Sequence, residues 1–427
     1  MDHFEEIEKY FLKQDAKYKE ELNSVVENSE TMDTNCKVAI CVPVAGHQEG
    51  ANIFRTLENY TNQTADNKSF EIVLFVNRPE VSRDGSKIEP DETIPEIKRF
   101  KKEYPDIRVR VIEKVLSLED ANMGYIRKFN SDVTLLRHQS RGDSADDLIM
   151  VSNDADNKGI ATTYVQNLID KFDENEKTDA LFGQLDWDPE SYVRNPLVHV
   201  GTRLFQYVSV QIRKKGWNVE SSGANFAYRS SIYAGVGGYT SGIHLAEDVN
   251  FGQKIKLARE NSEDHTPVGF AGAKVSRLYT SSRRAEKALR EGLSPVEQWD
   301  RGFSAFDDEV RKVKWEELTN GIDFDNKEQV DNFLYELENV VNRTMLKVSG
   351  SNNPASDPLL GRALGWLGIK YKITGDHSLK IVDASRLLDG LKEYQKEGLK
   401  IMERKTGGKN DKTKLKRAPR GKKIKFK

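Results

Sequence analysis

Two carboxylates spaced one residue apart, Asp154 and Asp156, are the residues of this sequence most suited to chemistry. They follow an apolar run within 147–152, and a short apolar run bounded by polar residues is typical of a strand buried on both faces. Ligands of open α/β sheets gather beyond the carboxyl ends of such strands, so the pair is predicted to bind a divalent cation that in turn binds phosphates. A solvated turn capping the next helix is the alternative interpretation, and D-x-D alone does not decide between them.

The elements that must position this pair alternate along the chain. Short apolar runs, which are typical of strands, alternate with stretches of helical periodicity. This alternation predicts an α/β fold with a mostly parallel sheet and right-handed crossovers. The predicted strands are 37–43, 71–77, 107–112, 147–152, 180–185 and 224–228, and the predicted helices are 52–60, 93–103, 124–138 and 160–172.

Both ends of the chain have a different pattern. Residues 2–28 predict one packing helix, whose apolar face consists of Phe4, Ile7, Tyr10, Phe11 and Tyr18. Beyond about residue 290 long helical patterns replace the strands, for example over 327–346 and 378–401. The sequence therefore divides into an N-terminal helical extension (1–35), a main α/β domain (36–290), a C-terminal helical region (291–402) and a tail (403–427).

Composition favours a soluble enzyme over a membrane or disulfide-stabilised protein. The chain has 427 residues, of which 37% are hydrophobic and 31% charged, as is usual for globular proteins that bury a sizeable core. Cys36 and Cys41 are the two cysteines, and their odd spacing predicts opposite faces of a strand and no disulfide framework. Apolar stretches are too short to span a membrane, and the acidic first residues lack a signal sequence, so we expect a cytoplasmic protein.

The net charge of −2 conceals a basic tail. Residues 405–427 contain eleven Lys or Arg and one acid, Asp411, so the tail carries about +10 and is predicted to be disordered. The tail could bind an anionic membrane surface, which would place the protein peripherally at the inner membrane face. Nucleic acid is a less favoured partner. A solubilising terminus is the simpler interpretation.

Polar groups also follow the other predicted strands, and in a parallel sheet these loops converge on the crevice that contains Asp154 and Asp156. The Asn77 amide could hydrogen-bond a base or ribose, and the Arg127 charge could meet a diphosphate or face solvent. Asp186-Trp187-Asp188 offers either an aromatic platform for a sugar or a core tryptophan. The residues assigned to a donor by position are Pro43, Ala45, Glu49, Asn77, Asn122, Gly124, Arg127 and Asp154.

Two later segments complete a set of five ordered motifs. Ser222-Gly-Ala-Asn-Phe-Ala-Tyr-Arg229 precedes Gly237-Gly-Tyr239, and Leu245-Ala-Glu-Asp248 opens a predicted helix over 248–258. Together with Val42-Pro43…Glu49, Asn122-x-Gly124…Arg127 and Asn153-Asp-Ala-Asp156, they resemble the motifs of the GT-A glycosyltransferases of family 2, which invert the anomeric centre. The resemblance covers about 36–285.

This resemblance implies a specific chemistry. A nucleotide-sugar donor would bind through Mn²⁺ or Mg²⁺ held by Asp156 and Asp154, and Asp248, next to Glu247, would deprotonate the acceptor hydroxyl. The acceptor would be a sugar, a lipid-linked hydroxyl or a polyol. The start of a helix is expected to keep Asp248 ionised. The resemblance further assigns Arg283 and Arg284 to the donor phosphates and Gly223, Ala224 and Asn225 to the acceptor side, where Trp187 is the candidate platform.

The sequence departs from the family pattern at the second strand, where Asn77 stands in place of the usual nucleotide-binding aspartate. The Q-x-x-R-W motif of processive synthases is also absent, which favours transfer of a single sugar. Two other classes of function stay open. A nucleotidyltransferase of related fold would carry a G-x-G-x-R loop after the first strand, and a non-catalytic protein could bind a membrane or nucleic acid through its basic tail.

Overall fold

The computed structural model describes residues 3–82, 84–142, 147–187, 223–243, 247–259, 268–281, 322–349, 361, 364–365 and 367–393. The chain forms two compact units, Met1–Asp186 with Asn218–Thr280, and Trp187–Trp217 with Ser281–Lys427. The basic tail and the predicted donor-binding residues Arg283 and Arg284 lie outside the described residues, as does the Trp187 side chain. Within the described residues, no helix is both long and apolar enough to cross a membrane.

A mostly parallel sheet forms the centre of the first unit. The strands up to residue 281 are β1 (Val38–Ala45), β2 (Phe70–Pro79), β3 (Val109–Leu116), β4 (Ile149–Asn153), β5 (Asn157–Ile160), β6 (Ala180–Phe182), β7 (Gln184–Trp187), β8 (Asn225–Arg229), β9 (Gly269–Phe270) and β10 (Arg277–Thr280). Strand order is β3-β2-β1-β4-β8-β6-β9, and β8 runs antiparallel to both β4 and β6. The neighbours β3, β2, β1 and β4 are parallel, so the predicted α/β fold with a mostly parallel sheet is confirmed.

Helices cover both faces of this sheet. They are α1 (His3–Leu12), α2 (Ala16–Glu27), α3 (Asn52–Glu58), α4 (Thr93–Glu103), α5 (Met123–Gln139), α6 (Tyr164–Glu174), α7 (Ser230–Gly235), α8 (Glu247–Ala258) and α9 (Gly272–Val275). Alternate residues of β1 pack into two separate apolar clusters, one shared with α5 and one shared with α3 and α6. Burial on both faces explains why the central strands are continuously apolar.

The parallel register brings the ends of three strands to one edge of the sheet. Val38 is level with both Phe70 and Ile149, and Ala45 at the end of β1 is level with Asn77. Because β4 runs in the same direction as β1, Asp154 emerges at this same edge.

The N-terminal segment differs from the single predicted helix. Asp15 interrupts it, since the Asp15 carboxylate accepts hydrogen bonds from the backbone N–H groups of Lys17 (2.9 Å) and Tyr18 (3.2 Å) and so begins α2. The predicted apolar face is confirmed: Phe4, Ile7, Tyr10 and Phe11 are buried in the cluster that includes α5, and Tyr18 packs against it.

Three further expectations are corrected. The helix predicted over 160–172 begins only at Tyr164, because Ile160 is the last residue of the strand β5, which pairs with β10. The strand predicted over 180–185 is interrupted at Gly183, where an added side chain would overlap the Asn225 amide. Cys36 and Cys41 are buried in the same cluster, because Cys36 precedes β1 and the strand alternation does not reach it; neither forms a disulfide.

The second unit contains a long helix and a hairpin. The helix predicted over 327–346 is confirmed as α10 (Lys327–Ser349). The helix predicted over 378–401 is wrong in its first part, where Leu379–Asp383 forms a strand. Strand β11 (Lys370–Ile373) pairs with β12 (Leu379–Asp383), and a helix follows over 385–393. Burial alternates along β12 with a period of two, since Leu379 and Ile381 are more buried than Lys380 and Val382. The helical pattern of the later residues obscured this period in the sequence.

Candidate active site

Residues from three separate parts of the chain build the candidate site. Asp154 and Asp156 directly follow β4, Arg127 lies one turn inside α5, and Glu247 and Asp248 are the first two residues of α8. The Asn122 side chain fixes the beginning of α5, because its Oδ1 accepts the backbone N–H of Tyr125 at 2.8 Å.

Arg127 is the centre of this site. Its Nε donates to Glu247 Oε1 at 2.8 Å, Nη1 to Ser152 Oγ at 2.6 Å, and Nη2 to Asp154 Oδ1 at 2.7 Å. The residue is only 6% exposed, so the interpretation that its charge faces solvent is wrong. The guanidinium thus joins the D-x-D segment to the E-D pair, although Arg127 and Glu247 are 120 residues apart in the sequence.

Gly223 provides a second connection between the same two segments. Its N–H donates to Asp248 Oδ2 at 2.6 Å, and its carbonyl accepts a hydrogen bond from Ser152 Oγ at 2.8 Å. A Cβ at this position would overlap the Arg127 guanidinium. The glycine therefore allows Arg127 to lie against the backbone that fixes Asp248.

Replacing Gly223 with Ala is expected to displace Arg127. The added methyl occupies the guanidinium position, so the free energy of unfolding should fall by about 1–3 kcal/mol, as in other overpacked sites. Chemical denaturation measures this change. Gly390→Ala is the matched control, because no heavy atom lies within 4 Å of its added Cβ and its stability should be unchanged or slightly higher. Equal stability of Gly223→Ala and the wild type would contradict the packing described for Arg127.

The surroundings of the Asp248 carboxylate have opposing effects on its pKa. Burial, followed by the charge of Glu247, raises the pKa of Asp248 to about 6, although Arg127 and the N–H groups of Gly223 and Val249 act in the opposite direction. The start of α8 was expected to favour the ionised carboxylate, but desolvation outweighs it and raises the pKa; with a pKa of about 6 the group is still mostly ionised at neutral pH. A carboxylate that titrates near neutrality is suited to accept a proton.

The D-x-D pair provides oxygen ligands of the type that Mg²⁺ and Mn²⁺ prefer. Asp154 pairs with Arg127, and Asp156 Oδ1 accepts a hydrogen bond from Thr280 Oγ1 at 3.3 Å. Among the described residues no group of three or more His, Cys, Asp or Glu could hold a metal. Two carboxylates nevertheless fit a cation that takes its other ligands from substrate phosphates and water, as Mg²⁺ commonly does.

The other residues predicted to bind a donor lie near the same sheet edge, and Asn77 forms hydrogen bonds within the protein. Asn77 is buried, and its amide nitrogen donates to the carbonyls of Val44 (3.2 Å) and Phe75 (3.1 Å), which stabilises the ends of β1 and β2. Pro43 and Ala45 belong to β1, and Glu49 is buried in the turn that follows.

Asn122 and Gly124 contact the loop that leads toward the E-D pair. Asn122 Oδ1 accepts the Gly242 N–H at 3.1 Å, and the Gly124 N–H donates to the Ile243 carbonyl at 2.9 Å. A side chain at Gly124 would overlap the Thr240 carbonyl. The N-x-G motif therefore has a role that sequence reasoning did not identify, which is to position residues 240–243.

The predicted acceptor-side residues Gly223, Ala224 and Asn225 are all buried. Gly223 contacts Asp248, whereas Asn225 is buried, with its Oδ1 accepting hydrogen bonds from Tyr164 (3.0 Å) and Ser276 (2.9 Å). Ala224, which lies between Gly223 and Asn225 in the sequence, is also buried. Sequence reasoning missed Ser152 and Thr280; for Ser152 the available signal was a hydroxyl in an otherwise apolar strand beside the D-x-D pair.

These features define an α/β protein with a carboxylate-rich candidate site at the carboxyl edge of a mostly parallel sheet. No family model matches the sequence, and no curated protein matches it.

Several solved structures are similar to the chain. One is a mannosyltransferase from Pyrobaculum calidifontis in complex with GDP-Man and Mn²⁺, with 15% identity, a TM-score of 0.38 and coverage of 96% of both chains. TarS 1–349 of S. aureus has 13% identity and a TM-score of 0.37, covering 85% of this chain and 91% of that one. Glucosyl-3-phosphoglycerate synthase from Mycobacterium tuberculosis, in complex with Mn²⁺, UDP-Glc and phosphoglyceric acid, has 14% identity and a TM-score of 0.32 and covers 64% and 84%.

Proposed function

We propose that the protein is a metal-dependent, inverting glycosyltransferase that moves one sugar from a nucleotide-sugar to an acceptor hydroxyl. The observation that carries this proposal is the connection of the D-x-D aspartate Asp154 to the Glu247–Asp248 pair through Arg127, reinforced by Gly223. A donor-phosphate site and a proton acceptor are thereby held together at one edge of the sheet, as glycosyl transfer requires.

In this proposal Asp248 is the general base. Gly223 and Val249 donate N–H hydrogen bonds to its two carboxylate oxygens, at 2.6 and 2.8 Å, so the carboxylate has a fixed orientation when the acceptor arrives. The acceptor oxygen forms a bond to the anomeric carbon as the bond to the diphosphate oxygen breaks on the opposite face, and the hydroxyl proton goes to Asp248. The anomeric configuration is inverted by this single displacement.

On the donor side, Asp156 and Asp154 would hold a divalent cation, which when bound neutralises the charge of the departing diphosphate. Arg127 keeps Asp154 in place from inside the protein, and Thr280 donates to Asp156. Glu247 is ion-paired to Arg127, so we assign it to orienting the site rather than to proton transfer.

The rate of transfer is expected to increase as the pH rises through about 6. Asp248 must be ionised to accept a proton, and its raised pKa means that the protonated, inactive fraction grows below that pH. A profile of kcat/KM against pH measures the midpoint. In Glu247→Gln the neighbouring negative charge is lost, so the midpoint should move to lower pH. A profile without an acid limb in the wild type would contradict the assignment of Asp248 as the base.

Turnover assays with a panel of nucleotide-sugars and Mn²⁺ test the proposed function. Transfer or slow donor hydrolysis should release a nucleoside diphosphate, and Asp156→Asn should lose the Mn²⁺-dependent part. Formation of a nucleotide-sugar from a nucleoside triphosphate and a sugar phosphate, with release of pyrophosphate, would instead identify a nucleotidyltransferase. Absence of turnover with every donor would contradict an enzymatic role.

A further inference from the structure

The Arg127 side chain is shared by two carboxylates that the proposed mechanism uses on opposite sides of the reaction. Asp154 lies on the donor side, and Glu247 directly precedes the proposed base. The two carboxylate side chains differ in solvent exposure: the Glu247 side chain is 8% exposed and the Asp154 side chain is 29% exposed. A ligand from solvent therefore reaches Asp154 far more readily than it reaches Glu247.

The position of Arg127 does not suit a direct contact with a donor diphosphate. All three nitrogens of its guanidinium donate to protein oxygens, at 2.6 to 2.8 Å. Gly223 lies against the guanidinium, because a Cβ there would overlap Nη2. The group is thus enclosed by Ser152, Gly223 and the two carboxylates, and it acts on the site through them.

Cation binding at Asp154 must compete with this ion pair. A divalent cation on Asp154 and the guanidinium attract the same carboxylate, and the two positive charges repel each other at short range. The same guanidinium is ion-paired with Glu247, the residue directly before Asp248 in the sequence.

We propose that Arg127 is a positioning residue that couples cation binding at Asp154 to the placement of the Glu247–Asp248 pair. This inference rests on the proposed function and adds to it a reason for the buried arginine. In the empty enzyme Arg127 restrains Asp154 and weakens cation binding; in the loaded enzyme it holds Glu247 more firmly, so that Asp248 is fixed when donor is present.

The coupling predicts opposite changes in binding and catalysis. Arg127→Met removes the competing positive charge, so the apparent Kd for Mn²⁺ alone should fall about tenfold, while kcat decreases because Glu247 loses its partner. Arg127→Lys keeps the charge but not the three-way hydrogen bonding, so its Mn²⁺ affinity should stay near the wild-type value while kcat is still reduced. Free Mn²⁺, measured by electron paramagnetic resonance in titrations of the full-length protein, reports the affinity without requiring turnover.

A double-mutant cycle tests whether Glu247 acts through Arg127. In the wild-type background Glu247→Gln should weaken Mn²⁺ binding, because Arg127 then pairs with Asp154 alone. In the Arg127→Met background the same substitution should have a smaller effect, since the shared partner is gone. Equal effects in both backgrounds would show a simple through-space charge effect and would overturn the coupling.

Arg137→Met is the matched control. Arg137 lies on the same helix, is 3% exposed, and pairs with the buried carboxylate of Glu71 away from the D-x-D segment. It should lower the free energy of unfolding without changing Mn²⁺ affinity. A change in Mn²⁺ affinity of the same size and sign as in Arg127→Met would mean that loss of any buried arginine of α5 has this effect, and would overturn the coupling.

The outcomes separate this inference from the proposed function. Tighter Mn²⁺ binding by folded Arg127→Met, together with lower kcat, supports the coupling. Suppose that the wild type binds Mn²⁺ and that Asp154→Asn abolishes this binding. If Arg127→Met then binds Mn²⁺ with the same affinity as the wild type or more weakly, only the coupling is overturned. If the wild type binds no Mn²⁺ with or without a nucleoside diphosphate, the metal dependence of the proposed function fails and the coupling fails with it. Should Arg127→Met not fold, weaker Mn²⁺ binding in Glu247→Gln together with near-wild-type affinity and lower kcat in Arg127→Lys supports the coupling. Unchanged Mn²⁺ affinity in Glu247→Gln overturns it.

Discussion

Replacing Asp248 with Asn is expected to lower kcat by about a hundred- to ten-thousand-fold, which is the usual contribution of a general base. The amide has the shape of the carboxylate, and its oxygen can still accept the Gly223 N–H, so this connection to Gly223 is kept while the Val249 N–H loses its acceptor. It cannot take the proton of the acceptor hydroxyl. Steady-state kinetics with the donor identified by the turnover panel provides the measurement, and the donor KM should change little.

A matched control for Asp248→Asn is Asp15→Asn. The Asp15 carboxylate also accepts backbone N–H groups at the beginning of a helix, but it lies at α2, and asparagine is an equally good cap. Its kcat should equal that of the wild type. Turnover by Asp248→Asn within a few-fold of the wild type would show that the proton goes elsewhere and would remove Asp248 from the mechanism.

Replacing Asp132 with Ala is expected to reduce the free energy of unfolding by about 3–5 kcal/mol, because it leaves three tyrosine hydroxyls without their acceptor and the partly buried Lys128 ammonium without its counter-ion. Asp132 is fully buried on α5. Its carboxylate accepts hydrogen bonds from the hydroxyls of Tyr10 (2.7 Å), Tyr18 (2.8 Å) and Tyr233 (2.8 Å), and it pairs with Lys128.

This network connects α1 and α2 to the main sheet domain. Burial, together with the Asp132 charge, raises the pKa of Tyr10 and of Tyr233 well above the ordinary range, so both stay protonated as donors. Urea denaturation measures the loss of stability. Asp173→Ala is the control, since that exposed aspartate pairs only at the surface with Lys37 and should change stability by less than about 1 kcal/mol. Similar small effects for both variants would contradict a structural role for the network.

The central strands and the location of the D-x-D pair could be predicted from the sequence because both depend on local patterns. Continuous apolar runs identified β1, β2 and β4, and the position of Asp154 after β4 placed it at the carboxyl edge. The hairpin of the second unit was missed, since short strands beside a long helical pattern give a weak signal.

The partners of the site residues could not be predicted in the same way. Arg127 was expected at a diphosphate or in solvent, whereas burial pairs it with Glu247 across 120 residues of sequence. The raised pKa of Asp248 likewise depends on desolvation by residues distant in the chain. Asn77 contacts backbone carbonyls because neighbouring strands surround it, and a single sequence does not reveal such tertiary contacts.

A crystal structure with a nucleoside diphosphate and Mn²⁺, with the metal located by anomalous scattering, tests the central claim most directly. We predict a single Mn²⁺ peak bridging the diphosphate and the carboxylates of Asp156 and Asp154, with the crevice beside Asp248 left open for an acceptor hydroxyl. A diphosphate bound elsewhere, with neither carboxylate near the metal, would contradict the assignment of this sheet edge as a glycosyltransferase active site.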